Sequence, residues 1–323
     1  MSSTEPIKLK AACKDYLWGG TRLRTEYHQQ SDAEKVAESW MLSCHPDGPS
    51  IVNSGDCKGM LFPEYLKQLG RQALGTNCAK FPDFPVLIKL IDAKDRLSIQ
   101  VHPDDVYAKT HGGGFGKTEM WYVVDCEPGA FLYYGFDHPI GKEEFRRRIQ
   151  DNTLEEVLNR APVHPGDVFF IEAGTLHSIG KGILIAEIQQ NSNLTYRIYD
   201  YGRVGTDGKL RQLHIPQALD VTRLTPPDRP ARPQGKRETC EGYSQILLAS
   251  CSVFTVYEME IQEAAQRADE TSFHSFLCLE GDAILLNQGK PVFSFQKGDS
   301  IFVPAGFGDY TVKGRCRLLR TTV

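Results

Sequence analysis

The stretch LIKLIDAKDRLSIQVHPDD, Leu87 to Asp105, places a hydroxyl, an amide and an imidazole at alternate positions: Ser98, Gln100 and His102. Extended backbone turns successive side chains to opposite faces, so these three share one face and Leu97, Ile99 and Val101 share the other. The alternation predicts a strand with one side in the core and the other lining a pocket, ended by Pro103. Glu119 opens a second apolar run in GKTEMWYVV, in phase with Trp121 and Val123. A carboxylate there calls for solvent or a cation. His177 follows the AGT turn after DVFFIE. Gln100, His102, Glu119 and His177 together offer two imidazoles, a carboxylate and an amide oxygen, which suits Zn2+ with one position left open. Two His and one carboxylate equally make the facial triad of non-haem Fe(II) oxygenases, so the donor types leave the metal undecided. A single His in a strand is more often a surface residue than a ligand. The grouping argues for a metal: Gln and His on one strand face, then Glu and His on later strands.

Short apolar runs separated by Gly, Pro and Asp must position these residues. Phe84–Ile91, Met120–Val124, Val168–Ile171, Ile183–Ile188, Gln245–Ala249 and Ser252–Glu258 have the length and the β-branched or aromatic content of strands. Their spacing predicts a mainly β protein, a sandwich or barrel rather than βαβ units. Two stretches carry helical periodicity, Phe62–Leu74 and Lys142–Arg160. Leu224–Arg237, LTPPDRPARPQGKR, is too rich in Pro and charge for a strand interior and reads as a boundary. Across it, PGDVFFIEAGTLHSI (Pro165–Ile179) resembles KGDSIFVPAGFGDYTV (Lys297–Val312), which suggests two joined β-units. The offset that reaches His177 in the first copy reaches Asp309 in the second, so only the first unit is expected to keep a metal-type ligand there. The expected division is a catalytic unit over 1–230, helical near 62–74 and 142–160, and a second, non-catalytic unit over 231–323.

The 323 residues carry a formal net charge of −4, with 24% charged and 41% hydrophobic residues. That balance gives no reason to expect nucleic acid or an anionic membrane as a partner. No apolar run reaches the roughly 18 residues a bilayer span needs, and Met1–Lys10 lacks the apolar core of a signal peptide. Nine cysteines, dispersed from Cys13 to Cys316 without a C-x-x-C pair, fit a reducing compartment. A cytoplasmic protein is expected, with a monomer as the default.

Five segments in order resemble the short bacterial form of type I phosphomannose isomerase, from about Tyr16 to Pro216: YLWGGTRL, ESWMLSCHPDGPSIV, LIKLIDAKDRLSIQVHPDD, GKTEMWYVV and LHSIGKGILIAEIQQNSNLTYRIYDYGR. The resemblance implies cupin-like jelly-roll barrels with short helical insertions. It implies one zinc ion per chain on the positions matching Gln100, His102, Glu119 and His177, and a catalytic pair matching Arg197 and Glu187. Two positions depart from the family: Thr118 stands where Pro is frequent, and Leu176-His177-Ser178 stands for the usual Pro-His-Ala. Both leave the ligand side chains in place.

The activity implied is interconversion of mannose 6-phosphate and fructose 6-phosphate, moving a proton between C1 and C2 through an enediolate. A bound zinc would act as Lewis acid, and a fixed guanidinium would stabilise the developing charge without taking the proton. Glu187 is the first candidate for the base, with Lys117, Lys89 and water as alternatives. Ser98, Lys89, Lys117 and Arg197 are the candidates to hold the sugar phosphate.

Two other readings compete: an Fe(II) cupin oxygenase and a non-catalytic sugar-binding cupin. Gln100, Arg197 and the family-like segments argue against the first, and the metal-type set with Arg197 argues against the second. HGGGFGKT (His111–Thr118) nearly spells a phosphate-binding P-loop, but His111 replaces the first Gly and a strand is expected to follow where that motif needs a helix. It is expected to be a flexible loop beside the pocket.

Overall fold

In the computed structural model, residues 5–111, 114–205 and 208–323 are described. The expectation of a mainly β, cupin-like protein is borne out by three antiparallel sheets with short helices between them. A six-stranded sheet runs in the spatial order Val168–Ile171, Glu119–Cys126, Ile183–Gln190, Val86–Ala93, Glu38–Leu42, Ala12–Lys14. A five-stranded sheet runs Tyr196–Tyr199, Ile99–Val101, His177–Ser178, Phe131–Phe136, Leu158–Pro162. Their inner faces meet in one apolar cluster that includes Trp121, Val123, Ile185, Leu132 and Phe169.

Alternation along Glu119–Cys126 divides its side chains between two cores. Trp121 and Val123 face the five-stranded sheet, whereas Met120, Tyr122 and Val124 join the cluster shared with the C-terminal unit. No side of this strand faces water over Glu119–Val124. That explains why it reads as a near-continuous apolar run.

The third sheet has nine strands and includes Tyr243–Ser250, Thr255–Ala268, His274–Asn287, Lys290–Gln296, Ser300–Val303 and Gly308–Thr322. It curls around its own apolar cluster, with Met259, Phe276, Phe295 and Leu318 inside. The short strand Glu238–Cys240 and two N-terminal strands, Ile7–Lys10 and Ile51–Val52, complete it, with Ile7 opposite Phe302. Nothing local in the sequence marks that pairing. Asp309, which the internal repeat aligns with His177, is exposed and ion-paired with Arg267 at 3.0 Å. Its neighbour Tyr310 is the residue that enters the second barrel.

Both helical segments are shorter than their periodicity suggests. Phe62–Leu69 is helical, and Gly70, at a φ of +83°, ends it before a short 3-10 turn over Arg71–Leu74. Lys142–Gln150 is helical, then Asn152 adopts a φ of +55°, a left-handed conformation that Asn tolerates better than most residues. Leu154–Val157 is a 3-10 turn and Leu158 already begins a strand, although Leu154 and Val157 remain buried. No helix among the described residues is long and apolar enough to cross a membrane.

Candidate metal centre

Strand pairing brings the chemistry-bearing residues together. Gln100 lies on the second strand of the five-stranded sheet, in register with His177 on one neighbouring strand and Arg197 on the other. Ile99 and Val101 point outward into a cluster with Phe136 and Phe145, so Gln100 points inward, as alternation requires. Across the barrel, Glu119 projects from the end of the facing sheet. His102, Glu119 and His177 are at most 1% exposed, and one potential ligand atom from each lies within 4.8 Å of the others.

The two imidazoles are oriented by backbone. His102 Nδ1 is 2.9 Å from the Leu194 carbonyl oxygen and His177 Nδ1 is 2.8 Å from that of Thr175. A carbonyl only accepts, so each Nδ1 carries the proton and each Nε2 keeps its lone pair. Those lone pairs face the carboxylate: His177 Nε2 is 3.5 Å from Glu119 Oε1, and His102 Nε2 is 3.6 Å from Oε2. Burial, then the Lys117 charge, holds His102 well below the usual histidine range; burial lowers His177 to about 4. Both are neutral at pH 7, the state a metal ligand needs.

Glu119 accepts no hydrogen bond on either oxygen. Lys117 Nζ lies 2.7 Å from Oε2, a charge contact without hydrogen-bond alignment, and also 3.1 Å from His102 Nε2. Burial and the charge of Glu187 push the Glu119 carboxyl upward. A buried carboxylate with unsatisfied oxygens beside two neutral Nε2 atoms is a donor set that fits a divalent cation. Gln100 adjoins it, with Nε2 3.4 Å from His177 Nε2. A half-turn of the amide presents its oxygen instead.

Beside this group opens a cavity of about 350 Å³, lined by Ser98, Gln100, Lys89, Lys117, Glu187 and Arg197 among others. Glu187 stands directly opposite both Lys89 and Trp121 on flanking strands. Lys89 Nζ approaches Glu187 Oε1 at 3.0 Å, and Trp121 Nε1 donates to Oε2 at 2.8 Å. Burial opposes both charges, but each offsets the other. Glu187 and Glu38 hold Lys89 above the ordinary lysine value, and Lys117 and Lys89 hold Glu187 below the ordinary carboxylate value. Arg197 donates through Nη1 to the Gln212 carbonyl at 2.9 Å, and its buried Nε has no partner. A larger cleft of about 890 Å³ lies beyond the wall made by Asn193 and Leu194 and contains none of these groups.

The cavity also contains residues that sequence reasoning passed over. Glu38 accepts from Trp40 Nε1 at 2.7 Å and lies 3.5 Å from Lys89 Nζ. Only the alternation of Glu38 with Trp40 hinted at an inward carboxylate. Arg211 enters beside Arg197, held by Asp200 through Nε at 2.6 Å; Arg203 holds the same carboxylate. Nothing near Arg211 in sequence signals this. Gly112 and Gly113 of the glycine-rich stretch lie outside the described residues; Gly114, Phe115 and the 890 Å³ cleft adjoin, and strand Glu119–Cys126 follows.

Comparison with known proteins places this geometry in context. The family description "Phosphomannose isomerase type I, catalytic domain" matches residues 7–122, and "Mannose-6-phosphate isomerase, cupin domain" matches residues 245–323. The chain is 38% identical to the probable mannose-6-phosphate isomerase GmuF of Bacillus subtilis, over 98% of either chain. It is 37% identical to the mannose-6-phosphate isomerase of Streptococcus mutans, over 93% of this chain and 92% of that one. A crystal structure of the mannose 6-phosphate isomerase from Bacillus subtilis superposes with a TM-score of 0.91 at 35% identity, covering 99% of this chain and 100% of the other.

Proposed function

The chain belongs to the type I phosphomannose isomerase family, and from that premise we propose that it interconverts mannose 6-phosphate and fructose 6-phosphate with one zinc ion on Gln100, His102, Glu119 and His177. The observation that carries this reading is the buried His-Glu-His group, with both Nε2 lone pairs turned towards Glu119, beside a cavity lined by an ionised carboxylate and several cations. Zinc bound there would polarise the sugar oxygens as a Lewis acid.

The chain's own residues divide the remaining work. Lys89 is held protonated by Glu187 and Glu38, which makes it an electrostatic partner rather than a base. Glu187 stays ionised and is fixed by Trp121 Nε1, so it is the group we assign to take the proton from one sugar carbon and return it to the next. Arg197 cannot accept that proton and would stabilise charge developing on the enediolate oxygens. Ser98 and Lys117 line the same cavity and would contact the substrate's oxygens. Arg211, next to Arg197, adds positive charge on the side where the phosphate would lie. In this division of labour residues 1–230 are catalytic, and 231–323 carry no part of the chemistry. A cytoplasmic monomer is the proposed working form.

The test is conversion of mannose 6-phosphate to fructose 6-phosphate before and after chelation, with zinc added back and His102→Ala as control. Activity lost to chelator, restored by zinc and absent in the variant supports the reading. Folded, zinc-loaded protein that fails to convert the sugar sinks it.

A further inference from the structure

The second barrel has a polar layer that the proposed chemistry does not use. Its lumen is apolar over most of its height, with Met259, Phe276, Cys278, Leu318 and Val312 in one cluster. Arg320 lies two residues beyond Leu318 on the same strand, hence on the same face, and sits in register with Tyr257 and Phe276. Its guanidinium rests 4.9 Å from the Tyr257 ring centroid and donates through Nη1 to Gln266 Oε1 at 2.5 Å.

Among the described residues no carboxylate lies within 4.0 Å of Arg320, and its buried Nε atom has no hydrogen-bond partner. A guanidinium is always charged, and a buried or half-buried charge is ordinarily paired. Lys89 and Lys117 in the first barrel follow that rule; Arg320 does not.

The groups around it are donors. His274 Nδ1 lies 2.6 Å from Tyr310 Oη. With the phenol donating to that nitrogen, the neutral ring turns its Nε2–H outward as a donor. Asp269, the acidic residue that acts on His274, is bound by the backbone and hydroxyl of Thr271. Tyr243, Tyr257, His274 and Arg320 are each partly exposed, so solutes reach the layer.

We propose that the mouth of the second barrel is a binding site for one small oxyanion, a phosphate or carboxylate group, received by Arg320 with His274 beside it. Arg320 presents the planar fork that such groups accept in bidentate fashion. The site is separate from the metal centre, and this proposal stands whether or not the isomerase reading does.

The test follows the His274 imidazole by nitrogen NMR in the full-length, zinc-loaded protein, its signal assigned by loss in His274→Gln. Inorganic phosphate and succinate are titrated separately at low ionic strength. A saturable shift of the His274 signal with either anion supports the site, and the anion that produces it names the source. Arg320→Gln removes the shift while sugar-phosphate isomerisation and the amide spectrum are unchanged. Arg320→Lys, which keeps charge without the fork, weakens binding roughly tenfold. No saturable shift with either anion, or a shift undiminished in Arg320→Gln, overturns the proposal.

Discussion

Glu187 and Lys89 face each other in register on adjacent strands, 3.0 Å apart and both buried. Each has a more distant second partner, Lys117 for Glu187 and Glu38 for Lys89. Removing one member leaves the other under-compensated, at a cost of up to about 3–5 kcal/mol. Lys89→Met is therefore expected to destabilise the fold by that order and to abolish isomerisation. Lys89→Met with Glu187→Gln should recover much of the stability and none of the activity. Urea unfolding of the two variants checks this, and equal destabilisation in both contradicts it.

Glu119→Gln separates the costs of the centre from its use. Although Lys117 adjoins it, burial and the charge of Glu187 push the wild-type carboxyl up to about 7, so without metal its ionised form works against folding. Metal-free Glu119→Gln should be more stable than metal-free wild type, by about 1–3 kcal/mol. Zinc should then raise the Tm of the wild type and leave that of the variant nearly unmoved. A variant that gains as much from zinc as the wild type removes Glu119 from the ligand set.

Acid should weaken the metal-free fold through its buried histidines. Burial lowers His177 and His274 to about 4, and His102 is lowered as well. Below a pH of about 6.5 the unfolded chain takes up protons that the folded chain refuses, so stability falls as pH drops from 7 towards 4. His177 and His274 each approach about 3 kcal/mol at the lower end. Urea titrations across that range of chelated Glu119→Gln protein, which lacks the opposite contribution of the raised Glu119 carboxyl, provide the measurement; stability that stays level or rises on acidification refutes the assignment.

Tyr122 tests the contact between the two units. Its hydroxyl donates to Glu258 Oε2 at 2.7 Å, and Arg237 Nη2 donates to the other oxygen at 2.6 Å. Tyr122→Phe should cost about 1–2 kcal/mol, with little change in KM for mannose 6-phosphate, because Tyr122 points away from the cavity. A large KM change with unaltered stability would show that the strand transmits more than support.

What could be read from the sequence was local. Alternation put Gln100 on an inward face and Glu119 in phase with Trp121, and both hold in the structure. The Val168–Ile171 strand has the bounds its apolar run suggested. Periodicity overran the Lys142–Gln150 helix, because Leu154 and Val157 are buried on a 3-10 turn that mimics helical spacing. Glu38 and Arg211 escaped notice for a different reason. Their place at the cavity comes from partners distant in sequence: Glu38 meets Lys89 across a strand pair, and Arg211 is held by Asp200. At the position the repeat aligns with His177 stands Asp309, exposed and paired with Arg267, while its neighbour Tyr310 turns inward, as alternation requires.

The pairing of Ile7 with Phe302 bears on how the chain is made. The strand Ile7–Lys10 must wait until Ser300–Val303 is synthesised before that partner exists. Until then Ile7 and Leu9, both destined for the core, stay uncovered, and the edge they form is open to pairing with other chains. Closure of the second barrel is thus also the moment at which Ile7–Lys10 is secured, and a nascent chain stalled short of Ser300 would carry an adhesive edge there. Aggregation during synthesis should therefore depend more on Ser300–Val303 than on the segments that carry the chemistry.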